Sequence, residues 1–497
     1  MRSDRHNKKN NGNTGFKLFT KVWSIFYLLV TIAFFGVLSY MDVLIFKYLC
    51  AAAAVVAAAL LLTFPALFFK GFKKSRKIIC LILSILLMAA YGVGIAYMTG
   101  TIDFFDKITT VKVQTEPYYV IARAGNDAYD DDEAENAARL KGKTVQTFLT
   151  TDLRYSEAKN MLKEELNTEY EMIEDLQLMA QGLLDGDYEL IYVSDAHYTT
   201  LCTENAGFKE GSKIVYTVKL PIESRSIVKD VDVTKDSFNI YVSGLDTEGS
   251  IDVVSRSDVN MIVTVNPRTH KVLLTSIPRD YYIELPDAAG AMDKLTHTGN
   301  HGIEETVETI EKLTGLDMNY YVKVNYTTVT QLVDAMGGIE VHSDYTFVTH
   351  GMDVYYEFYE GTNQLDGSRA LAFARERQSF SDGDFQRNKN QQLVLEGILK
   401  KAMSSSTILT KYTTILNAIE DSVEINMSQE DIRSLIKLQT DGMPSWDIEK
   451  QSIIGSVGKE ACYMDGLYLY ASVVLQDGES IISAVDQIIA VMEEEPA

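Results

Sequence analysis

The sequence is poor in cysteine, in histidine and, over most of its length, in positive charge. Four cysteines in 497 residues exclude a disulfide scaffold: Cys50 and Cys80 lie in apolar runs, leaving only Cys202 and Cys462 available to pair. Seven histidines are scattered, and the i, i+4 spacing of His297 and His301 has no third ligand type nearby, which argues against a zinc set. The formal net charge is −23 and is unevenly placed. Only Asp4 and Asp42 of 69 acidic residues precede residue 99, against 12 of 46 basic ones; the remainder holds 67 acids and 34 bases, a net −33. Such a surface repels polyanions, and no nucleic-acid partner is expected. No small-residue cleavage site follows the first apolar run, and no nucleophilic serine or cysteine motif is present.

Long hydrophobic runs are abundant near the start. Residues 22 to about 40, 43 to 69 and 78 to 98 are apolar stretches of about twenty residues or more, each long enough to cross a hydrocarbon core of about 30 Å as a helix. Lys and Arg crowd the tail 1–21 and the loop KGFKKSRK, whereas the hairpin Ser39 to Asp42 has none. The positive-inside rule then predicts a cytoplasmic tail over 1–21, three spans within 22–98, and everything after about residue 100 outside a cell membrane.

Beyond a linker over 99–116, β-rich runs (YYVIARA, VQTFLT, YELIYVS, KIVYTVKL) alternate with helical ones (YSEAKNMLKEELN, EMIEDLQLMAQGLLDG), predicting an extracellular α/β accessory domain over 117–228. Its acidic cluster DAYDDDEAE reads as a solvated loop. The polar segment 226–236 separates it from a second domain over 237–497, whose core spans 237–404. There, strands SFNIYVSG, VNMIVTV and KVLLTSI are followed by alternating helices and strands, predicting an α/β/α layered domain on a mixed central sheet.

The basic residues of this second domain are not spread evenly. A hairpin turning at NPRTH pairs residues whose numbers sum to 537, which sets Asp258 opposite Arg279; an antiparallel neighbour ending at Asp246 would emerge at the same edge. In LAFARERQSFSDGDFQRNKNQQ, Arg375 and Arg377 share a side if the chain is extended. Asp384, Arg387 and Gln391 share one face of the helix predicted from 384. Each feature alone is an ordinary solvated patch or turn. Together they predict an anion site.

The motifs SGLD (243–246), SRSDVNMIVTVNP (255–267), SIPRD (276–280), DKLTHTG (293–299), NYYVKVNYTTVTQLVDAMGGIEV (319–341) and LDGSRALAFARERQSFSDGDFQRNKNQQ (365–392) resemble the LytR-CpsA-Psr family, most closely its CpsA-type members. The resemblance covers about 237–400. It implies a polyprenyl-pyrophosphate lipid as ligand with Mg²⁺ near the diphosphate. Asp246 and Asp258 match the metal-associated carboxylates, and Arg279, Arg375, Arg377 and Arg387 the arginines around the pyrophosphate. Arg256, Gln391 and Lys294 match further polar members of the site. Thr296-His297 stands where many members have Asn-Ala, and Asn390 where many have Arg, both as in the CpsA branch.

What the resemblance implies is a membrane-anchored phosphotransferase of a Gram-positive type of bacterium, with Arg279, Asp258 and Asp246 carrying the chemistry. It would move a glycopolymer, capsular polysaccharide by preference, from its polyprenyl-pyrophosphate carrier to peptidoglycan. Membrane lipid and capsule-synthesis membrane proteins are the further partners implied. Two alternatives stay open: hydrolysis of the same lipid pyrophosphate, and a non-catalytic membrane regulator of envelope synthesis. The lipid tail would need an apolar channel beside the charged site.

Overall fold

The computed structural model describes residues 2–42, 46–109, 114–205, 207–222, 225, 227–247, 251, 254–286, 288, 290–351, 354–404, 414–464 and 466–496. They form two compact units, Met1–Lys107 with Ser428–Pro444, and Ile108–Met427 with Ser445–Ala497.

The first unit contains three helices long and apolar enough to cross a membrane, Gly15–Met41, Phe46–Phe68 and Lys74–Thr109. Trp23 Nε1 donates to Ser84 Oγ at 2.8 Å, tying the first to the third. The third helix overruns its expected end at 98, so the expected linker 99–116 is helical as far as Thr109. Nothing in TIDFFDKIT breaks a helix, and Phe104 and Phe105 are buried. Helix Gln429–Thr440 belongs to this unit through ion pairs of Lys437 with Asp42 and of Asp441 with Lys47, both at 2.6 Å.

Among the described residues the second unit holds two large sheets and four two-stranded ribbons. The first is five-stranded, in the order Glu169–Ile173, Thr144–Phe148, Leu190–Ser194, Thr115–Arg123, Ser212–Pro221, with parallel pairing on one side and antiparallel on the other. The segment EMIED (171–175), expected to open a helix, is not helical. Glu169–Ile173 is a strand parallel to Thr144–Phe148, and Asp175 starts the helix Leu176–Asp185 by accepting from the Gln177 and Leu178 amides. In the acidic loop, Asp132 caps the helix Glu133–Leu140 and Asp130 pairs with Arg139 at 3.0 Å. The Asp130 and Asp132 carboxylates are thus tied to local structure.

The second sheet has six strands: Val423–Ile425, Tyr320–Val324, Phe238–Leu245, Ser257–Asn266, Lys271–Ile277 and Asp447–Ser452. Tyr320–Val324 runs parallel to Phe238–Leu245, and the next two pairings are antiparallel, giving the mixed sheet expected. One core packs Tyr241, Ile262, Leu273 and Tyr321 from this sheet with Val307 and Ile310 of helix Ile303–Thr314 and Ile488 of helix Gly478–Glu493. A second core lies among the helices Tyr326–Met336, Gly367–Arg375 and Asp384–Ala402 and the ribbon Ile339–Ser343 with Gly361–Leu365. Asn266 accepts from the Arg268 and Thr269 amides, shaping the hairpin loop whose register is Asn266 to Lys271. The edge strand Val423–Ile425 is short, but Glu424 is buried against Lys323 at 3.0 Å and accepts from Tyr321 Oη at 2.8 Å. Cys202 and Cys462 are free thiols.

Candidate functional site

Three pieces of backbone geometry gather the site. The hairpin ladder ends at Asn260 opposite Ile277, and just beyond it Arg279 Nη1 lies 2.8 Å from both Asp258 oxygens. On the other side of the same strand a bulge between Gly244 and Leu245 shifts the register, and the Asp246 amide donates to the Arg256 carbonyl at 3.3 Å. The parallel strands Phe238–Leu245 and Tyr320–Val324 end together, so their following residues, Asp246 and Tyr326, meet beyond the carboxyl edge. Ligands of open α/β sheets collect at such edges.

The turn after Lys294 closes one wall. A Cβ on Gly299 would stand 2.5 Å from the Ser255 carbonyl oxygen and 2.7 Å from the Ser257 nitrogen, so only glycine lets this turn lie against the Arg256 backbone. Thr296 Oγ1 donates to Asp258 at 3.4 Å. The opposite wall comes from helices Gly367–Arg375 and Asp384–Ala402. Arg375 is the last residue of the first, not part of an extended segment as expected, because Asp366 caps that helix and the turns run on to it. Its guanidinium lies 4.3 Å from the Tyr326 ring centroid.

All nine residues singled out from the sequence, Asp246, Arg256, Asp258, Arg279, Lys294, Arg375, Arg377, Arg387 and Gln391, line a single cavity of about 550 Å³. Six cationic side chains and three carboxylates line it, a local positive excess in a chain of net charge −23. Leu245, Val324, Val329, Leu371 and Ala374 form an apolar part of the same lining. The cavity also takes in Asp280, 3.3 Å from Lys294 Nζ, and Tyr326, neither expected from the sequence, and His297, noted there only for its spacing and as a departure from the family pattern. The parallel pairing of the strands before Asp246 and Tyr326 was the available signal for the tyrosine.

The electrostatics are one-sided. Burial alone would push the Asp258 carboxyl up, but the Arg279, Arg387 and Arg256 guanidiniums more than offset this and hold it below its usual value. Burial weakens the Arg279 cation, yet Asp258 and Asp280 raise its affinity for the proton well above the ordinary arginine value. Arg387 goes the other way. It is 6% exposed, and burial together with repulsion from Arg279 lowers its pKa. Arg279 Nε and Arg387 Nε and Nη2 are buried without a hydrogen-bond partner. Three buried, unpaired donors thus sit on two cations that line one cavity, an arrangement an anionic ligand could satisfy.

Tyr326 Oη donates to Asp246 Oδ1 at 2.6 Å, and burial followed by the Asp246 charge pushes its phenol well above its ordinary value. Tyr326→Phe removes this donor alone. It is expected to lower stability by about 1 kcal/mol. Calorimetry of the full-length protein checks this; an unchanged midpoint would show that the bond contributes nothing. Among the described residues no cluster of three metal-ligating side chains occurs. Asp246 and Asp258 are nevertheless two carboxylates in one arginine-lined cavity, the donor set a hard cation takes when phosphate oxygens complete its shell.

Fold and cavity together define an α/β protein with an arginine-walled cavity and an N-terminal set of membrane-length helices. The LytR_cpsA_psr family model matches residues 198–477, more than half of the sequence, and the chain belongs to that family. A polyisoprenyl-teichoic acid–peptidoglycan teichoic acid transferase TagU of Enterococcus faecalis is 34% identical over 204 residues, 40% of this chain and 65% of its own. The protein of the same name from Bacillus cereus is 36% identical over 234 residues, 47% of this chain and 73% of its own. The match thus spans just under two thirds of the Enterococcus relative. Among solved structures, B. subtilis TagU is 29% identical with a TM-score of 0.40, covering 53% of this chain and 100% of its own.

Proposed function

We propose that this protein transfers a glycopolymer from a polyprenyl-pyrophosphate carrier to peptidoglycan, and that the arginine-walled cavity holds the carrier's diphosphate. The observation that carries this reading is the set of unpartnered buried donors on Arg279 and Arg387. Guanidinium forks match the closely spaced oxygens of a diphosphate, and an uncharged ligand would leave them unpaired. Membership of a family whose TagU members are named as such transferases supports the reaction class.

Arg279, Arg375, Arg377, Arg387, Arg256, Lys294 and Gln391 would grip the diphosphate, and Leu245, Val324, Val329 and Leu371 would meet the first apolar units of the lipid. Asp246 and Asp258 would hold Mg²⁺. Bound there, the cation neutralises charge on the diphosphate. An acceptor hydroxyl then attacks the glycan-bearing phosphorus, and the bond to the bridging oxygen breaks. Polyprenyl phosphate leaves with the electron pair, and Arg279 and Arg387 stabilise its growing charge. The cytoplasmic basic tail and external catalytic domain, read from the charge bias, belong to this proposal. So does capsular polysaccharide as the polymer, which the likeness to the CpsA branch favours over the teichoic acid of the relatives' names.

Full-length protein in nanodiscs, given lipid-linked glycopolymer with and without peptidoglycan, is expected to form a phosphodiester-linked product only when acceptor is present. Release of glycan phosphate to water at the same rate in both reactions would make the protein a hydrolase. Neither product would leave it a regulator.

A further inference from the structure

The cavity contains a histidine that the diphosphate-gripping residues do not account for. His297 lies in the short helix Leu295–Thr298, is 9% exposed, and lines the same cavity as Arg279 and Asp258. Its Nδ1 is 2.7 Å from Oδ1 of Asp293, which is 1% exposed and lies on the strand Met292–Lys294. A carboxylate only accepts, so Nδ1 carries the proton in this pair. In the neutral ring Nε2 is therefore left with its lone pair. Asp293 is itself fixed, because the same oxygen accepts from the Lys294 amide at 2.7 Å. Strand pairing of Met292–Lys294 with Tyr282–Glu284 holds that peptide in place. The arrangement is a base with its tautomer and ring plane set by a buried carboxylate, at the wall of the arginine-lined cavity.

Resting on the transfer reading above, we propose that His297 is the general base that takes the proton of the acceptor hydroxyl, with Asp293 as its positioning residue. The hydroxyl oxygen forms the new bond to the glycan-bearing phosphorus while its proton passes to His297 Nε2. The bridging P–O bond breaks and its electron pair departs on polyprenyl phosphate, and the imidazolium then returns its proton to water. Atoms and charge balance without a further reactant. The same His–Asp pair would position an incoming hydroxyl on the side of the cavity away from Arg375 and Arg377, which come from the other wall.

The elements packed around this turn set the charges the imidazole feels. They contribute Asp293 and Lys294 from the preceding strand, Asp258 from the strand beneath with Arg256 just before it, and Arg279 and Asp280 through the Thr296 amide bond to the Arg279 carbonyl. Glu304 lies on the helix that follows, His301 in the intervening turn, and the Cys462 thiol interacts with both Asp293 and Lys294. Burial and Asp293 push that thiol up to about 12, so it stays neutral and does not compete for the proton.

The test uses full-length wild type, His297→Ala and Asp293→Asn in nanodiscs, with single-turnover transfer to peptidoglycan followed from pH 5 to 9. Wild type is expected to lose rate at the acid end of this series, as a reaction that depends on a general base does. His297→Ala is expected to be slower by about 10²-fold or more and to lack that acid limb. It should retain binding of a short-chain polyprenyl diphosphate and recover rate when imidazole is added. Asp293→Asn should be slower while keeping an acid limb. If His297→Ala transfers at the wild-type rate with the same profile, or if imidazole restores nothing while diphosphate binding is intact, the proposal fails. Wild type that binds the diphosphate but transfers nothing at any pH would instead overturn the transfer reading beneath it.

Discussion

Replacing Arg279 by alanine is expected to lower the transfer rate by roughly 10³-fold or more, the scale set by arginines that stabilise charge on a transferring phosphoryl group. The side chain has two tasks. Its Nη1 holds both oxygens of Asp258 at 2.8 Å, and its buried Nε is left for the ligand. Loss of the first also costs stability. Asp258 would keep its burial but lose its main partner, at about 2–3 kcal/mol, less than a fully isolated charge because Arg387 and Arg256 remain near. Arg279→Lys separates the two tasks. A lysine retains the charge that steadies Asp258 but not the planar fork, so stability should largely return while rate does not. Single-turnover rates and melting curves of the two variants decide this, and near wild-type transfer by Arg279→Ala would remove the residue from the mechanism.

Arg387→Met is expected to do something unusual: to make the ligand-free protein more stable while weakening diphosphate binding by about 10- to 100-fold. Arg387 is buried, repelled by Arg279, and has two donor nitrogens without partners. Asp384 stands 3.5 Å from Nη2, which eases the charge without making a hydrogen bond, and Asp384 also has Arg377 at 3.6 Å. Methionine fills a similar volume without the polar penalty, so about 1–3 kcal/mol should be gained. Such a trade of stability for function marks groups kept for a ligand. With diphosphate present the order should reverse, since wild type gains binding free energy that the variant loses. A variant less stable than wild type without ligand would mean that Arg387 is a structural ion-pair partner.

How much of this was legible in the sequence varies with the kind of interaction. Local rules gave the hairpin: turn residues at Pro267 to Thr269 and two β-branched runs fixed the 537 register, and with it the Asp258–Arg279 pair. Helical periodicity put Arg387 and Gln391 on one face, and both reach the cavity. Asp246 was placed by assuming an antiparallel neighbour, and the bulge at Gly244 and Leu245 adjusts that pairing without moving it from the edge. Failures came where propensity was overruled. EMI (171–173) reads as helix because Glu and Met favour helices, but pairing of Glu169–Ile173 with Thr144–Phe148 makes it a strand. ARER reads as extended, but the Asp366 cap carries the helix to Arg375. Tyr326 and the Asp293–His297 pair were harder to find. Tyr326 reaches the site only through parallel pairing of strands about eighty residues apart, and His297 through a turn whose closeness depends on Gly299.

The most direct test of the central claim is titration of full-length protein in nanodiscs with a short-chain polyprenyl diphosphate and, separately, its monophosphate, with Mg²⁺ present. The account predicts saturable binding of the diphosphate, much weaker binding of the monophosphate, and loss of most affinity in Arg387→Met. Equal affinity for both lipids, or diphosphate binding unaffected by that substitution, would mean that the arginine-walled cavity is not where the carrier's headgroup sits.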